Sequence, residues 1–152
     1  MRIVIQKVKY SSVTIDGEVK GKIGEGLMAL VGFCEADTES LLVPMAEKMV
    51  NLRIFTDADD KMNLSLIDTE GELLVVSQFT LYADCRKGRR PSFTGAKAPG
   101  EANMLYEKFV DVCEKAIGKP VQTGEFGADM KVELLNDGPV TIILDSDEIV
   151  KK

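Results

Sequence analysis

The sequence predicts an α+β fold, a single domain over residues 1–152 in which two main helices pack on a mainly antiparallel sheet. Segments of alternating apolar and polar residues dominate the first and last thirds of the chain, and two longer segments have helical spacing. The chain has no internal repeat or low-complexity tract. Its 152 residues suffice for one substantial core, but not for two ordinary domains.

The first third of the chain predicts strands that meander into the core. Apolar residues alternate with polar ones from Ile3 to Ile15, with a change of phase near Val8, and Asp16-Gly17 then gives a tight-turn signal. Glycines punctuate the approach to residues 27–33, an apolar run of strand length. We therefore expect two or three strands that lead into a buried one.

A helix and a short strand are expected next. Asp37-Thr38 offers an N-cap for a helix that ends near Asn51 and has apolar residues on one face. Pro44 removes a backbone donor within this segment, so the helix should start late or kink. Residues 52–55 then predict a short strand, and residues 57–61 a turn rich in carboxylates.

Residues 73–76 are the segment around which the candidate site is predicted. These four consecutive aliphatic residues are typical of a strand buried on both faces, and Ser77, Gln78 and Thr80 follow directly. A strand end holds hydroxyl and amide groups on a rigid support, which suits a binding or catalytic site. The alternative is that these side chains only satisfy neighbouring backbone groups.

A basic run follows the polar end of this strand. Arg86, Lys87, Arg89 and Arg90 place four cations within five residues, although the whole chain has a net charge of −6. The overall charge argues weakly against nucleic acid as a partner, but the local potential at this run has the opposite sign. A solvated loop without any partner is the alternative.

The last third predicts a second helix and more strands. Residues 91–100 form a loop, since they are rich in Pro, Gly and small residues. Residues 101–117 have helical spacing, which places Cys113 in the core, and Gly118 ends the helix. A strand is then expected to begin at Val121.

Asn-Asp-Gly-Pro at residues 136–139 separates two segments with strand alternation, 130–135 and 140–144. The ordinary interpretation is a hairpin turn, in which glycine supplies a positive φ. The alternative depends on the Gly138-Pro139 peptide bond, because a cis bond would aim the two carbonyl groups in a fixed direction. Carbonyls aimed in this way would be able to select between enantiomers.

The composition excludes several kinds of chemistry. The chain has no histidine, so Ser-His-Asp and Cys-His catalysis and histidine-ligated metals are excluded. The turn at residues 57–61 fails as a calcium loop, because Lys61 and Met62 stand where an oxygen ligand and a glycine are required. Cys85 lies beside cations that favour a thiolate, which leaves a reactive thiol as an alternative. We expect neither a metal nor a cofactor.

Other features indicate the cellular compartment. No apolar run approaches the length of a membrane span, and the first residues enter a strand pattern without a signal-peptide core. The three cysteines are widely spaced and fit reduced thiols better than disulfides. We therefore expect a soluble, cytoplasmic protein without a membrane partner.

Two motifs resemble the paired signature of the D-aminoacyl-tRNA deacylases, the D-tyrosyl-tRNA(Tyr) deacylase family, which hydrolyse D-amino acids from mischarged tRNA. The motifs are Ser77-Gln78-Phe79-Thr80-Leu81 and Asn136-Asp137-Gly138-Pro139-Val140-Thr141. The likeness extends over almost the full chain and includes Val4-Ile5-Gln6, Ser11-Ser12-Val13-Thr14, Leu52-Arg53-Ile54-Phe55, Lys61-Met62-Asn63-Leu64-Ser65, Arg86-Lys87-Gly88-Arg89-Arg90-Pro91-Ser92-Phe93 and Phe126-Gly127-Ala128-Asp129-Met130. Several motifs of this length in the same order make the resemblance specific.

The resemblance implies a barrel-like sheet and a homodimer with its active sites at the subunit interface. Each site would receive Gly138 and Pro139, joined by a cis bond, from the partner subunit. Their carbonyl groups would exclude an L side chain, whereas a D-aminoacyl group or glycine would fit. Lys7 stands where most relatives have arginine, so a bidentate latch onto this Gly-Pro element would become a single-point contact.

The resemblance also implies roles around the central strand. The pocket for the terminal adenosine and the ester would be lined by four consecutive residues, Ser77, Gln78, Phe79 and Thr80. Backbone amides near Gln78 and Phe79 would stabilise the oxyanion. The 2′-hydroxyl of the terminal ribose would help to activate water, and Thr80 as a nucleophile is the alternative.

The implied partners are D-aminoacyl-tRNA and a second copy of the chain, and not DNA. The tRNA phosphates would contact the basic run, namely Arg86, Lys87, Arg89 and Arg90. Two other functions remain open at this point. One is a noncatalytic module that binds the 3′ end of tRNA, and the other is a thiol-dependent hydrolase that uses Cys85.

Overall fold

The computed structural model describes residues 1–150. Within this range the strands are β1 (Arg2–Ile15), β2 (Glu18–Ile23), β3 (Gly26–Gly32), β4 (Phe55–Thr56), β5 (Met62–Leu64), β6 (Glu72–Ser77), β7 (Gln122–Thr123) and β8 (Lys131–Asp145). The α-helices are α1 (Leu42–Asn51), α2 (Pro99–Ile117) and α3 (Ser146–Ile149). Two 3₁₀ helices span Glu39–Leu41 and Phe79–Tyr82.

Strand β1 is the central strand of the sheet and pairs with three other strands. Its first half pairs with β3 and its second half with β2, both antiparallel, while β8 pairs along its other edge. Asp16 and Gly17 have φ angles of 50° and 80°, which confirms the predicted turn between β1 and β2. The change of phase is also confirmed, because the register against β8 shifts on both sides of Val8. The predicted meander is wrong, since β3 lies beside β1 and not beside β2.

The sheet is mainly antiparallel and curls into a nearly closed barrel. Its strand order is β2-β1-β3-β6-β7, and pairing is parallel where β6 meets β3 and β7. The two outer strands approach each other closely, since a Cβ built on Gly21 would lie 2.6 Å from the carbonyl oxygen of Thr123. Glycine at this position therefore allows β2 and β7 to come together.

Both main helices lie where the sequence predicts them. Helix α1 starts late, at Leu42, so that Pro44 falls in its first turn, where a missing donor is tolerated. Thr38 occupies the N-cap position of the 3₁₀ helix that leads into α1, but no side chain caps that helix. The Asp37 carboxylate instead accepts from the Cys34 amide at 2.7 Å. Helix α2 starts at Pro99 and ends at Gly118, whose φ of 71° confirms the predicted stop.

Two strand predictions need correction. Residues 52–54 are not paired, and only Phe55–Thr56 forms a strand, which pairs with β5. The predicted hairpin at residues 136–139 is absent, because β8 is one continuous strand along β1. Asn136 pairs with Val8 and Thr141 with Gln6, so residues 137–140 bulge outward opposite a single residue, Lys7. The Gly138-Pro139 bond within this bulge is cis.

Two apolar clusters cover the two faces of the sheet. The larger cluster packs β1, β3 and β6 against α1 and α2, and there the Tyr106 hydroxyl donates to the Val75 carbonyl at 2.8 Å. The smaller cluster fills the barrel with Val8, Val13, Ile23, Met28, Leu74 and Val76. Leu74 and Val76 point to one cluster and Leu73 and Val75 to the other, which confirms that β6 is buried on both faces. Among residues 1–150, no helix is long and apolar enough to cross a membrane.

Candidate active site

The polar residues after β6 lie at a sharp change of backbone direction. Ser77 ends β6, and Gln78 leads into the 3₁₀ helix Phe79–Tyr82, which we call the site turn. The Gln78 side-chain amide donates a hydrogen bond to the Thr80 hydroxyl oxygen. Ser77, Gln78 and Thr80 are partly buried, whereas Phe79 is exposed. The structure therefore gathers all four predicted residues at one place.

The backbone amides at this place are not equivalent. The Gln78 amide donates to the Val31 carbonyl at 2.8 Å, so it is already used within the sheet. Of the two amides that the resemblance implies as oxyanion donors, the Gln78 amide thus already has an acceptor in this structure. Amides at the start of a helix have no acceptor within that helix. The Phe79 amide, which begins the site turn, remains a candidate donor.

A cavity of about 230 Å³ opens beside the site turn. One wall consists of residues 76–79, and the opposite wall consists of residues 126–130 with Val132. Residues 126–130 belong to the loop between β7 and β8, whereas Val132 lies in β8. Gly124 in this loop leaves the space that the Met130 sulfur occupies. Residues 126–130 form one of the motifs that carry the family resemblance, but they were given no site role, because only the folded chain brings them to the end of β6.

Residues 85–91, which we call the basic loop, project next to the site turn. Asp84 and Ser92 close the loop with two backbone hydrogen bonds of 2.7 and 2.9 Å. The Asp84 carboxylate also accepts two hydrogen bonds from the Arg86 guanidinium, which lowers the pKa of Asp84. Lys87, Arg89 and Arg90 are exposed and have no ion pair within residues 1–150. Of the four predicted cations, Arg86 thus shapes the loop and the other three face solvent.

Arg2 connects the site turn to the end of β8. Its Nε donates to the Asp145 carboxylate at 2.9 Å, and its Nη1 donates to the Leu81 carbonyl at 3.0 Å. The guanidinium also lies 4.6 Å from the centroid of the Tyr82 ring. Burial alone would raise the pKa of Asp145, but hydrogen bonds from Arg2 and the Asp147 amide outweigh it and lower this pKa. No sequence pattern pointed to Arg2, because its partners are distant in the chain.

A single chain does not bring the Gly-Pro element to the cavity. Gly138 and Pro139 are exposed and lie outside the cavity lining. Asp137 instead lines a separate cavity of about 510 Å³ together with Lys7. The Lys7 ammonium lies 3.8 Å from the Asp137 carboxylate and 5.5 Å from the centroid of the Phe55 ring. Lys7 therefore contacts the Gly-Pro segment through the Asp137 side chain, which directly precedes Gly138.

The cysteines differ in their surroundings. Cys85 is exposed in the basic loop, Cys34 is partly buried and Cys113 is buried, and all three are free thiols. Burial raises the pKa of Cys113 to about 12, so this thiol stays protonated. Within residues 1–150, no group of three or more potential ligands is placed to hold a metal ion.

Comparison with known proteins identifies the family of this chain. The family model described as D-Tyr-tRNA(Tyr) deacylase matches residues 4–145. The chain belongs to this family. The D-aminoacyl-tRNA deacylase of Clostridium botulinum (strain Eklund 17B / Type B) is 58% identical over 146 residues, which cover 96% of this chain and 97% of that protein. The D-aminoacyl-tRNA deacylase of Thermosipho africanus (strain TCF52B) is 54% identical over 149 residues, covering 98% and 99%.

Solved structures also match this member of the D-Tyr-tRNA(Tyr) deacylase family. A structure described as "c-Myc DNA Unwinding Element Binding Protein" superimposes with a TM-score of 0.90 at 40% identity, covering 96% of this chain and 99% of that one. A structure described as a "probable eukaryotic D-amino acid tRNA deacylase" gives a TM-score of 0.82 at 21% identity, covering 94% and 97%. At that lower identity the likeness concerns the fold alone.

Proposed function

We propose that this protein hydrolyses the ester bond of D-aminoacyl-tRNA in the cytoplasm and so proofreads the charging of tRNA. We propose glycyl-tRNA as a second substrate of the enzyme. The observation that carries it is that, in a member of this family, the site turn lines the cavity and its Phe79 contacts Phe93, which lies two residues after the basic loop. The proposed reaction suits a chain without histidine, because the ester is labile and needs chiefly positioning and charge stabilisation.

In the proposed complex the terminal nucleoside occupies the cavity and its ester lies against the site turn. The negative charge that develops on the carbonyl oxygen is stabilised by the Phe79 amide. The unpaired cations of the basic loop, Lys87, Arg89 and Arg90, contact phosphates of the tRNA end. The pairing of Asp84 with Ser92 supports this assignment, since it fixes the ends of the loop, and Phe93 just after the loop contacts the cavity residue Phe79.

Water is activated with the help of the ribose 2′-hydroxyl in this proposal. The Thr80 hydroxyl accepts a hydrogen bond from the Gln78 amide, which orients it. Within residues 1–150 the structure shows no basic side chain bonded to Thr80, and a hydroxyl without a base is a weak nucleophile. We therefore assign Thr80 to positioning rather than to nucleophilic attack.

Selection of the D enantiomer is assigned to Gly138 and Pro139 of a second copy of the chain. In one chain these residues are exposed in the bulge of β8 and lie outside the cavity. A partner subunit would supply them to the cavity, where their carbonyl groups would take the place of an L side chain. A D-aminoacyl or glycyl ester would still fit, so discrimination would come from a clash with the wrong substrate.

Strand β8 offers a surface for the proposed homodimer. In residues 1–150 it pairs with β1 alone, so its second edge is open along 15 residues. Large apolar side chains are exposed on β8 and on its neighbour β1, with Ile143 66%, Leu135 49% and Tyr10 40% accessible. A long open edge with exposed apolar residues favours pairing with another chain.

Mixed dimers test both the activity and the shared site. Ala128→Trp fills the cavity, and Gly138→Ala alters the element assigned to the partner. Ala128→Trp dimers should hydrolyse D-aminoacyl-tRNA poorly, whereas Gly138→Ala dimers should also hydrolyse the L form. In a purified heterodimer of the two chains, the filled cavity faces the altered Gly-Pro element, and the unaltered cavity faces the unaltered element. The heterodimer should therefore hydrolyse the D form at about half of the unmutated rate and reject the L form. If the heterodimer hydrolyses the L form, the two residues do not act in one composite site.

A noncatalytic module that binds the 3′ end of tRNA is the second candidate, and it is favoured by the likeness to a structure described as a DNA unwinding element binding protein. The two candidates differ in turnover. The enzyme releases many equivalents of D-amino acid per protein molecule, whereas the module binds the tRNA end and releases none. A thiol-dependent hydrolase is the third candidate, and retention of full activity by Cys85→Ala would remove it.

A further inference from the structure

Two exposed phenylalanine rings meet at the mouth of the cavity. Phe79 is 53% accessible and Phe93 is 38% accessible. Their centroids lie 5.1 Å apart, and the ring planes meet at 71°, an edge-to-face contact. Phe79 lines the cavity and Phe93 does not, so the aromatic surface extends from the cavity toward the basic loop.

Both rings are attached to fixed backbone. Phe79 begins the site turn, and Phe93 directly follows the Asp84–Ser92 pairing that closes the basic loop. The Phe93 carbonyl also accepts from the Ala96 amide at 3.1 Å. A pre-ordered aromatic surface loses little conformational entropy when a ligand stacks on it.

The charge around the rings is strongly positive for a chain of net charge −6. Residues 85–100 contain five basic side chains and no acidic one. Arg86 pairs with Asp84 at 2.8 Å, and Lys97 pairs with Glu101 at 3.4 Å. The other three of these five residues, Lys87, Arg89 and Arg90, have no ion pair with any residue of the range 1–150.

We propose that Phe93 is a stacking platform for the base of the nucleotide that precedes the aminoacylated one, with the strand's phosphates on the three unpaired cations of the basic loop. The inference rests on the proposed function, because the terminal nucleoside must occupy the cavity beside Phe79. Exposed aromatic faces next to cations are the usual means of holding single-stranded nucleic acid, and stacking does not depend on base identity. This subsite would add affinity for the tRNA end without reading its sequence.

Short substrates isolate the subsite. The D-aminoacyl ester of adenosine fills the cavity alone, whereas the D-aminoacyl ester of the trinucleotide CCA also reaches Phe93. Phe93→Leu keeps an apolar side chain but removes the aromatic face. It should raise KM for the trinucleotide ester at least about fivefold more than for the adenosine ester, since stacking on an aromatic residue is worth about 1–3 kcal/mol per base. Phe93→Tyr keeps the ring and should restore the lower KM.

A fluorescent variant gives a second readout that needs no catalysis. The chain contains no tryptophan, so Phe93→Trp introduces a single reporter. Uncharged CCA should quench its emission, and adenosine alone should not. The matched control is Val43→Trp, since Val43 is 49% accessible on α1, which packs on the other face of the sheet. Its emission should not respond to either ligand.

The possible outcomes distinguish a failure of the stacking subsite from a failure of the proposed hydrolytic activity. If the unmutated protein hydrolyses neither ester, the proposed function fails. If it hydrolyses both and Phe93→Leu changes the two KM values equally, or changes neither, the stacking platform is refuted while the function stands. Quenching of Phe93→Trp by adenosine as strongly as by CCA would also refute it, because the ring would then belong to the cavity. Where Phe93→Leu is too unstable to assay, the Phe93→Trp measurement decides.

Discussion

Arg2→Met removes the link between the site turn and the end of β8. The Arg2 and Asp145 side chains are 41% and 22% accessible, so solvent screens their ion pair, and we assign it about 0.5–1 kcal/mol. The hydrogen bond to the Leu81 carbonyl adds about 1 kcal/mol. The free energy of unfolding, measured in urea, should therefore fall by about 1.5–2 kcal/mol. The unbranched methionine chain can still pack on the Tyr82 ring.

The effect on catalysis follows from what the site turn carries. Phe79 and Thr80 would lose a fixed position relative to the substrate, and a displacement of about 1 Å lowers rates by up to about a hundredfold. We expect kcat for D-aminoacyl-tRNA to fall at least about tenfold. KM should change little, because the Asp84–Ser92 pairing holds the basic loop independently of Arg2.

The matched control is Arg53→Met. The Arg53 Nε also donates to a backbone carbonyl, that of Asn63 at 3.0 Å, but it serves the β4–β5 hairpin and not the cavity. This control should leave kcat unchanged. If Arg2→Met loses stability and keeps the unmutated kcat, Arg2 does not position the site turn, and the reasoning is refuted.

The pH dependence of stability gives an independent check on the same ion pair. The pKa of Asp145 is lowered in the folded protein, so its stabilising contribution is present above the unfolded pKa of about 3.9. That contribution is lost as the pH falls through the lower, folded pKa. The stability difference between the unmutated protein and Asp145→Asn should therefore be largest above about pH 5 and shrink in stronger acid.

Three further predictions concern the bulge, the basic loop and the thiols. Gly138→Ala places a Cβ 2.9 Å from the Val140 side chain at a φ of +142°, so it should cost about 1–3 kcal/mol on urea unfolding and lower the ratio of D to L hydrolysis rates. Replacing the three unpaired cations of the basic loop with glutamine should reduce the slope of log KM against log salt by about 2, and an unchanged slope would contradict the phosphate contacts. Cys85 should react with a thiol reagent in the native protein and Cys113 only after unfolding, because its pKa is raised to about 12 by burial. Fast native labelling of Cys113 would show that its surroundings open.

The elements that local patterns specify were predictable from the sequence. Helix α2, its end at Gly118 and the buried strand β6 depend on periodicity and on glycine chemistry, which act within a few residues. The change from apolar to polar residues at Ser77 located the candidate site. Pro44 likewise predicted that α1 starts late, as it does at Leu42.

The predictions that the structure corrects or misses concern places where residues distant in the chain pair with a segment and override its local sequence signal. Asn-Asp-Gly-Pro is a strong hairpin signal, yet β1 is long enough to pair with both halves of β8, so the turn becomes a bulge. The hydrogen bond from the Gln78 amide to the Val31 carbonyl depends on two segments that meet only in the folded sheet. Arg2 and the cavity wall at residues 126–130 act through contacts between distant parts of the chain.

The most direct test of the account is the rate of amino acid release from matched D- and L-aminoacyl-tRNA, with and without the protein, in the presence of a chelator. We expect rapid, multiple-turnover release from the D form and no acceleration for the L form. Equal acceleration of both forms would contradict the role assigned to Gly138 and Pro139. Tight binding of tRNA with no acceleration of either form would contradict the proposed enzyme and favour the binding module.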